Sequence, residues 1–227
     1  LVSATGLFFN LVRRLIAYKL ISSSDTLDEK SNKLLATFSQ HLETLKDMTC
    51  PHVDWVQDMM LNPGFLTMHP HPEMFLGDIG QSFSIYNSYP MFSTDWRWYK
   101  DITGEDRNFN KNGLNSYYRN NINLLDCRFD FDPTSLDFGK ELEKLSSESW
   151  IIMSNIQKGD TSKWQSFFDL LNNISNLIIK KAPETAKALN ESSRWLQDGA
   201  PMKNNLESFP MWWGRGQQYL SLIRKNN

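Results

Sequence analysis

The chain has 227 residues, 40% of them hydrophobic and 22% charged, with a net charge of −2. That length holds one large domain or two small ones around a sizeable core, and the charge lacks the basic surplus of a general nucleic-acid binder. Two cysteines, Cys50 and Cys127, make no disulfide framework and fit a reducing compartment, so a cytoplasmic location is expected.

The opening residues 1–6 read as the tail of a strand entering a helix, which implies further sequence upstream. From Phe8 to Ile16 the apolar residues follow i, i+3, i+4 spacing, with Arg13, Arg14 and Lys19 elsewhere on the wheel. Those charges also make residues 7–21 too polar, and the window is too short, for a membrane span or a signal peptide. Thr26-Leu27-Asp28-Glu29 has capping-box spacing and predicts a second helix with Leu35, Phe38, Leu42 and Leu45 as its apolar stripe. Pro51 suits the first turn of a short third helix carrying His52, Asp54, Trp55 and Asp58, ended by Asn62-Pro63-Gly64.

Residues 72–79 predict a short helix stopped by Gly80, and Phe83-Ser84-Ile85-Tyr86 is the best strand candidate. Residues 101–115, rich in Asn and Asp, read as a surface loop, after which Ser116 caps a helix through Leu125. From Leu136 onward the pattern is helical: one stripe through Leu142, Leu145, Ile152 and Ile156, and a stronger one from Trp164 to Ile178 entered at Asp160 or Thr161. Pro183 and Gly199-Ala200-Pro201 bracket a further helix, and a last one is expected over residues 211–225.

Three of the four histidines and three of the eight tryptophans fall between Cys50 and Lys100, set among prolines as loop-borne pocket residues often are. Cys50, His52, His69 and His71 form two ligand pairs, but C-x-H with H-x-H is not a common zinc spacing, and unpaired loop histidines are the simpler account. His52 is the candidate acid–base group because imidazole titrates near neutrality. Asp54, two residues on, would point elsewhere on a helix. Asp95-Trp96-Arg97-Trp98-Tyr99-Lys100 offers flat aromatic area with directional charge, either as a binding surface or as a structural junction. Trp212-Trp213-Gly214-Arg215-Gly216 suggests close approach of another backbone or a ligand, with simple helix packing as the alternative. No nucleotide-cradling glycine motif is present.

Gly6-Leu7-Phe8-Phe9-Asn10 followed by Arg13-Arg14, Lys33, Cys50-Pro51-His52-Val53-Asp54-Trp55 and Tyr86-Asn87-Ser88-Tyr89-Pro90 stand in an order that resembles the C-terminal portion of bacterial class I S-adenosylmethionine-dependent methyltransferases. In that family a late core strand runs into a G-L-Y/F-N segment and an arginine-bearing helix. A helical insertion and the last sheet strand follow.

The resemblance covers residues 1–102 and implies a mainly α chain. One or two short strands would belong to the edge of a Rossmann-like sheet, and a C-terminal helical bundle would follow. The implied division is 1–102 for the end of the methyltransferase-like domain, 103–135 for a loop-rich connection and 136–227 for a helical region. It makes His52, Asp54, Asp95, Trp96, Arg97, Trp98 and Tyr99 candidate contacts to a methyl acceptor, small molecule or other. The glycine-rich loop and acidic ribose ligand that hold S-adenosylmethionine would precede Leu1, so no cofactor-binding residue is assigned here. Neither nucleic acid nor a membrane span is expected, and a homo-oligomer is left open. Two other readings compete: a non-catalytic helical interaction module with a Trp-rich face, and a metal-dependent hydrolase using Cys50, His52, His69 and His71.

Overall fold

The computed structural model describes residues 3–44, 49–66, 77, 79–89, 109–126, 128–199 and 219–225. Residues 3–7 form a turn where a strand end was expected. The Leu7 amide donates to Ser3 O at 3.1 Å and the Phe8 amide to Thr5 O at 3.3 Å, curling the chain straight into helix α1, Phe8–Leu20. Every residue of α1 from Phe8 to Ala17 is buried, so this helix has no solvent face over most of its length, as expected of a core helix. Arg13 and Arg14 are therefore interior residues, contrary to their place off the apolar stripe.

Helix α2, Leu27–Glu43, opens on the capping box: Thr26 N donates to Glu29 Oε2 at 2.8 Å, and Glu29 N to Thr26 Oγ1 at 3.2 Å. Its fully buried positions are Leu34, Phe38 and Leu42, with Leu35 only partly covered. Helix α3, His52–Val56, follows Pro51 and continues into a π-helical turn over Gln57–Leu61. Asn62 stops it, its side chain accepting from Gly64 N at 2.8 Å.

Strand β1, Phe83–Tyr89, extends three residues past the expected segment. Its partner β2, Tyr219–Arg224, lies where a terminal helix was expected. The alternation Tyr-Leu-Ser-Leu-Ile-Arg half-buries Leu220 and Leu222 and exposes their neighbours, a period of two that fits a strand. The two pair antiparallel, Phe83 opposite Arg224 and Tyr89 opposite Tyr219, with an irregularity between Ile85 and Asn87.

Helix α4, Phe109–Asn120, replaces much of the expected loop. Its Asn-rich sequence is a poor helix former, but Tyr117 and Tyr118 are buried and Gly113 abuts Ile85, so packing overrides propensity. The helix breaks at Asn121 before a single turn, α5, Ile122–Leu125.

Helix α6, Leu136–Gln157, starts at Ser135, whose hydroxyl accepts from Phe138 N at 3.2 Å. Asp160 accepts from Ser162 N and leads through a 3-10 turn into α7, Trp164–Ile178. Helix α8, Pro183–Asp198, has proline in its first turn and ends at Gly199, which takes the left-handed φ of 65°. Helix α7 packs against both α6 and α8, and α1 touches α2, the π turn, α6 and α8. One contiguous apolar core consequently runs from Leu7 to Leu196.

Among the described residues the chain is thus mainly helical, with one two-stranded antiparallel sheet. No described helix is long and apolar enough to cross a membrane.

Helices α4 and α6 approach closely at Gly139 of α6. A Cβ there would stand 1.7 Å from Tyr118 O, and Asn121 Nδ2 donates to Gly139 O at 2.8 Å. Elsewhere in a helix Gly→Ala gains up to about 1 kcal/mol. Gly139→Ala is expected instead to lose at least about 2 kcal/mol, toward the upper end of overpacking costs, because backbone must move. The urea midpoint of the variant checks this.

Candidate functional site

The described part of the candidate surface is built on α3. Pro51 has φ −54° and ψ 141° and accepts from Trp55 N at 3.1 Å, which turns the chain abruptly from extended to helical. His52 and Asp54 fall on the first turn and are both exposed, while Trp55 and Val56 are buried. Two residues apart on a helix they diverge by about 200°, so they act as neighbouring surface groups and not as an oriented His–Asp pair. Cys50 presents a free, exposed thiol, with Sγ 3.5 Å from Pro51 O.

Beneath this surface the support is polar as well as apolar. The Arg13 guanidinium lies 5.7 Å from the centre of the Trp55 ring, within cation–π range. Arg14 is 2% exposed. Its Nη1 donates to Met59 O at 3.2 Å, its Nη2 to Asn62 O at 3.0 Å, and its Nε to Gln157 Oε1 at 3.3 Å. Gln157 Nε2 donates back to Arg14 O at 3.4 Å. Burial pushes the guanidinium down to about 10, while the nearby Asp58 carboxylate opposes that shift; it stays charged at neutral pH. Gln57 Nε2 donates to Ser31 Oγ at 3.0 Å and ties the same turn to α2. The segment bearing His52 and Asp54 is therefore held from α1, α2 and α6 together.

A second polar cluster lies within the fold. Glu143 of α6 is 1% exposed, and its Oε2 accepts from Thr5 Oγ1 at 2.6 Å and from Tyr117 Oη at 2.5 Å. Thr5 also lies 3.4 Å from Ser146 Oγ. Burial, and then the Glu143 carboxylate, raise the Tyr117 phenol well above its usual 10.0. These bonds tie the turn before α1 to α4 and α6. Farther on, Asp126 accepts from Arg128 Nε at 3.0 Å and Nη2 at 2.8 Å and from Thr185 Oγ1 at 2.7 Å, linking the end of α5 to α8.

Of the expected acceptor contacts, His52 and Asp54 are described, both exposed and pointing different ways from the first turn of α3. Asp95, Trp96, Arg97, Trp98 and Tyr99 lie outside the described residues. So do His69, His71, Cys127 and the Trp212–Gly216 stretch; of residues 72–79 only 77 and 79 are described, both helical. Among the described residues no group of three or more His, Cys, Asp or Glu side chains stands ready to hold a metal ion.

The residues that reading by sequence missed are Arg13, Arg14, Glu143 and Tyr117. The arginines left only a weak signal, two adjacent charges that share the run from Leu7 to Ala17 with one other polar residue, Asn10. Comparison with protein-family models, curated proteins and solved structures finds no match to this chain.

Replacing Tyr117 by Phe deletes one donor to a buried carboxylate and is expected to cost about 1–3 kcal/mol at neutral pH. Above pH 10 the unfolded phenol ionises while the buried one keeps its proton. The native state then binds more protons, and wild-type stability falls as pH rises, by up to about 1.4 kcal/mol per unit from this residue. Urea unfolding from pH 8 to 11 should show wild type losing its advantage over Tyr117→Phe above pH 10.

Proposed function

We propose that this chain is the acceptor-recognition part of an S-adenosylmethionine-dependent methyltransferase. In this reading the cofactor is bound by a preceding Rossmann-like domain, and α6 to α8 are a helical-bundle extension beside the active site. One observation carries the reading: the order of elements. A glycine-containing turn enters an arginine-bearing helix, a helical segment with Pro51, His52 and Asp54 follows, and a strand then stands at Phe83–Tyr89. From the helix onward that is the order the resemblance calls for, whereas a turn stands at residues 3–7 where it calls for the end of a strand.

His52 and Asp54 suit acceptor contact because they are exposed polar groups on a turn held from three sides. A backbone held in this way can present them to an acceptor without the entropy cost of ordering a loop. Asp95, Trp96, Arg97, Trp98 and Tyr99 are assigned to acceptor contact from their sequence alone. His52 is the candidate proton acceptor for an attacking acceptor atom. The cofactor would supply the electrophilic methyl group.

The competing reading, a protein-docking module with a Trp-rich face, calls for exposed tryptophans; of the described ones Trp55, Trp150 and Trp195 are buried and Trp164 is partly buried.

The test is methyl transfer by the polypeptide that carries the cofactor-binding domain. His52→Ala and Trp96→Ala should each lower turnover at least tenfold while the S-adenosylmethionine Kd, measured by calorimetry, stays within about twofold. Loss of cofactor affinity with unchanged acceptor binding would contradict the assignment.

A further inference from the structure

Over its buried length helix α1 carries three polar side chains, Asn10, Arg13 and Arg14. At spacings i, i+3 and i+4 they are neighbours on one face of the helix. Arg14 is engaged by Met59 O, Asn62 O and Gln157, and the Arg13 guanidinium lies by the Trp55 ring. Asn10 is different. It is 4% exposed, and among the described residues neither its Oδ1 nor its Nδ2 finds a hydrogen-bond partner. An interior amide in that state loses its hydration and gains nothing in return, whereas an apolar residue of similar size would escape that penalty. Asn121, also buried, at least donates its Nδ2 to Gly139 O.

The direction of the Asn10 side chain follows from its place as the third residue of α1. A helical Cα–Cβ bond tilts toward the helix N-terminus, and the side chain covers the turn before its own Cα. The Asn10 amide is therefore aimed at the entrance of the helix, over Gly6 and Leu7. Leu7 provides no side-chain cap there, and the first turn holds no acidic residue. The positive end of a 13-residue helix thus meets the unpartnered amide. Arg13, one turn farther on and itself buried, adds positive charge where the dielectric is low.

Such a place favours a negative group, and Asn10 narrows the choice. Its amide offers donor and acceptor side by side. A carboxylate alone would use Nδ2 and leave Oδ1 unpaired. A hydroxyl on the adjacent carbon supplies the missing donor. An ammonium there could also donate, but it would be repelled by the helix end and by Arg13. Gly6 and Leu7 are buried as well, which restricts the ligand to a small one.

We infer that the N-terminal end of α1 binds a small α-hydroxycarboxylate. Its carboxylate accepts from Asn10 Nδ2 beside the positive helix end, and its hydroxyl donates to Asn10 Oδ1. This inference goes beyond the proposed function and does not depend on it.

Titration of the 227-residue chain with L-lactate tests it, followed by calorimetry and by the Asn10 side-chain amide signals in nuclear magnetic resonance. Lactate should bind saturably at one site and shift both Nδ2 protons of Asn10. Acetate, which lacks the hydroxyl, and L-alanine, which has an ammonium in its place, should each bind at least tenfold more weakly. Asn10→Leu should weaken lactate binding at least tenfold and raise the urea midpoint of the free chain, because it removes an unsatisfied interior amide.

Lactate that fails to saturate, or that leaves the Asn10 signals in place, overturns the site without recourse to any variant. Equal binding of lactate and acetate overturns the hydroxycarboxylate class and leaves a plain anion site. An Asn10→Leu chain with a lowered midpoint and unchanged lactate binding would give Asn10 a structural hydrogen bond, as to an internal water, and overturn the role assigned here.

Discussion

A charged guanidinium removed almost entirely from water stands where the two halves of this chain meet, and much of the structure is arranged to make it tolerable. Burial of an unpaired cation would cost several kcal/mol. Arg14 avoids that penalty by donating to two main-chain carbonyls, Met59 O and Asn62 O, and to the Gln157 side chain. The carbonyls belong to the end of the π turn, where acceptors are left without intrahelical partners, so one planar fork satisfies groups that no regular backbone bond reaches. The Asp58 carboxylate adds a favourable Coulombic contribution that partly offsets desolvation. Because α1 is buried on all sides, the same residue links a segment near position 60 to the far end of α6.

That linkage governs what the α3 surface can do. His52 and Asp54 are solvent-facing, yet the turn beneath them is held by Arg14, by the Trp55 ring under Arg13, and by Gln57 on Ser31. A short helix of five residues has little stability of its own. Its geometry is set by tertiary contacts, and exposed polar groups on such a base are presented rigidly. The Glu143 cluster does for the turn before α1 what Arg14 does for α3: a buried polar centre, hydrogen-bonded from separate elements, fixes where a chain segment sits.

The sequence made the helices legible wherever local chemistry decided them. The Thr26–Glu29 capping box, the Asp160 cap and the Pro183 to Gly199 bracket all correspond to observed bonds or dihedrals. It was less legible where partners distant in sequence decide. Residues 109–115 look like a loop because Asn and Gly are weak helix formers, but burial of Tyr117 and Tyr118 and the contact of Gly113 with Ile85 hold them helical. Residues 219–224 are compatible with either period over so short a run, and pairing with β1, some 130 residues earlier, selects the strand. Of the candidate site, His52 and Asp54 were recognisable as exposed polar residues at a helix start. The arginines beneath them were not, because a helical wheel assigns charge to solvent and cannot anticipate carbonyls contributed from residues 59 and 62.

The most direct test is the unfolding free energy of Arg14→Lys, with amide exchange followed over residues 57–62. Lysine keeps the charge but cannot serve three acceptors in a planar fork. If Arg14 is the tie between the halves, the variant loses about 2–4 kcal/mol, as expected for broken charge-assisted hydrogen bonds at a buried site, and exchange in the π turn accelerates with it. A loss below about 0.5 kcal/mol, with the turn still protected, would contradict the dependence on Arg14.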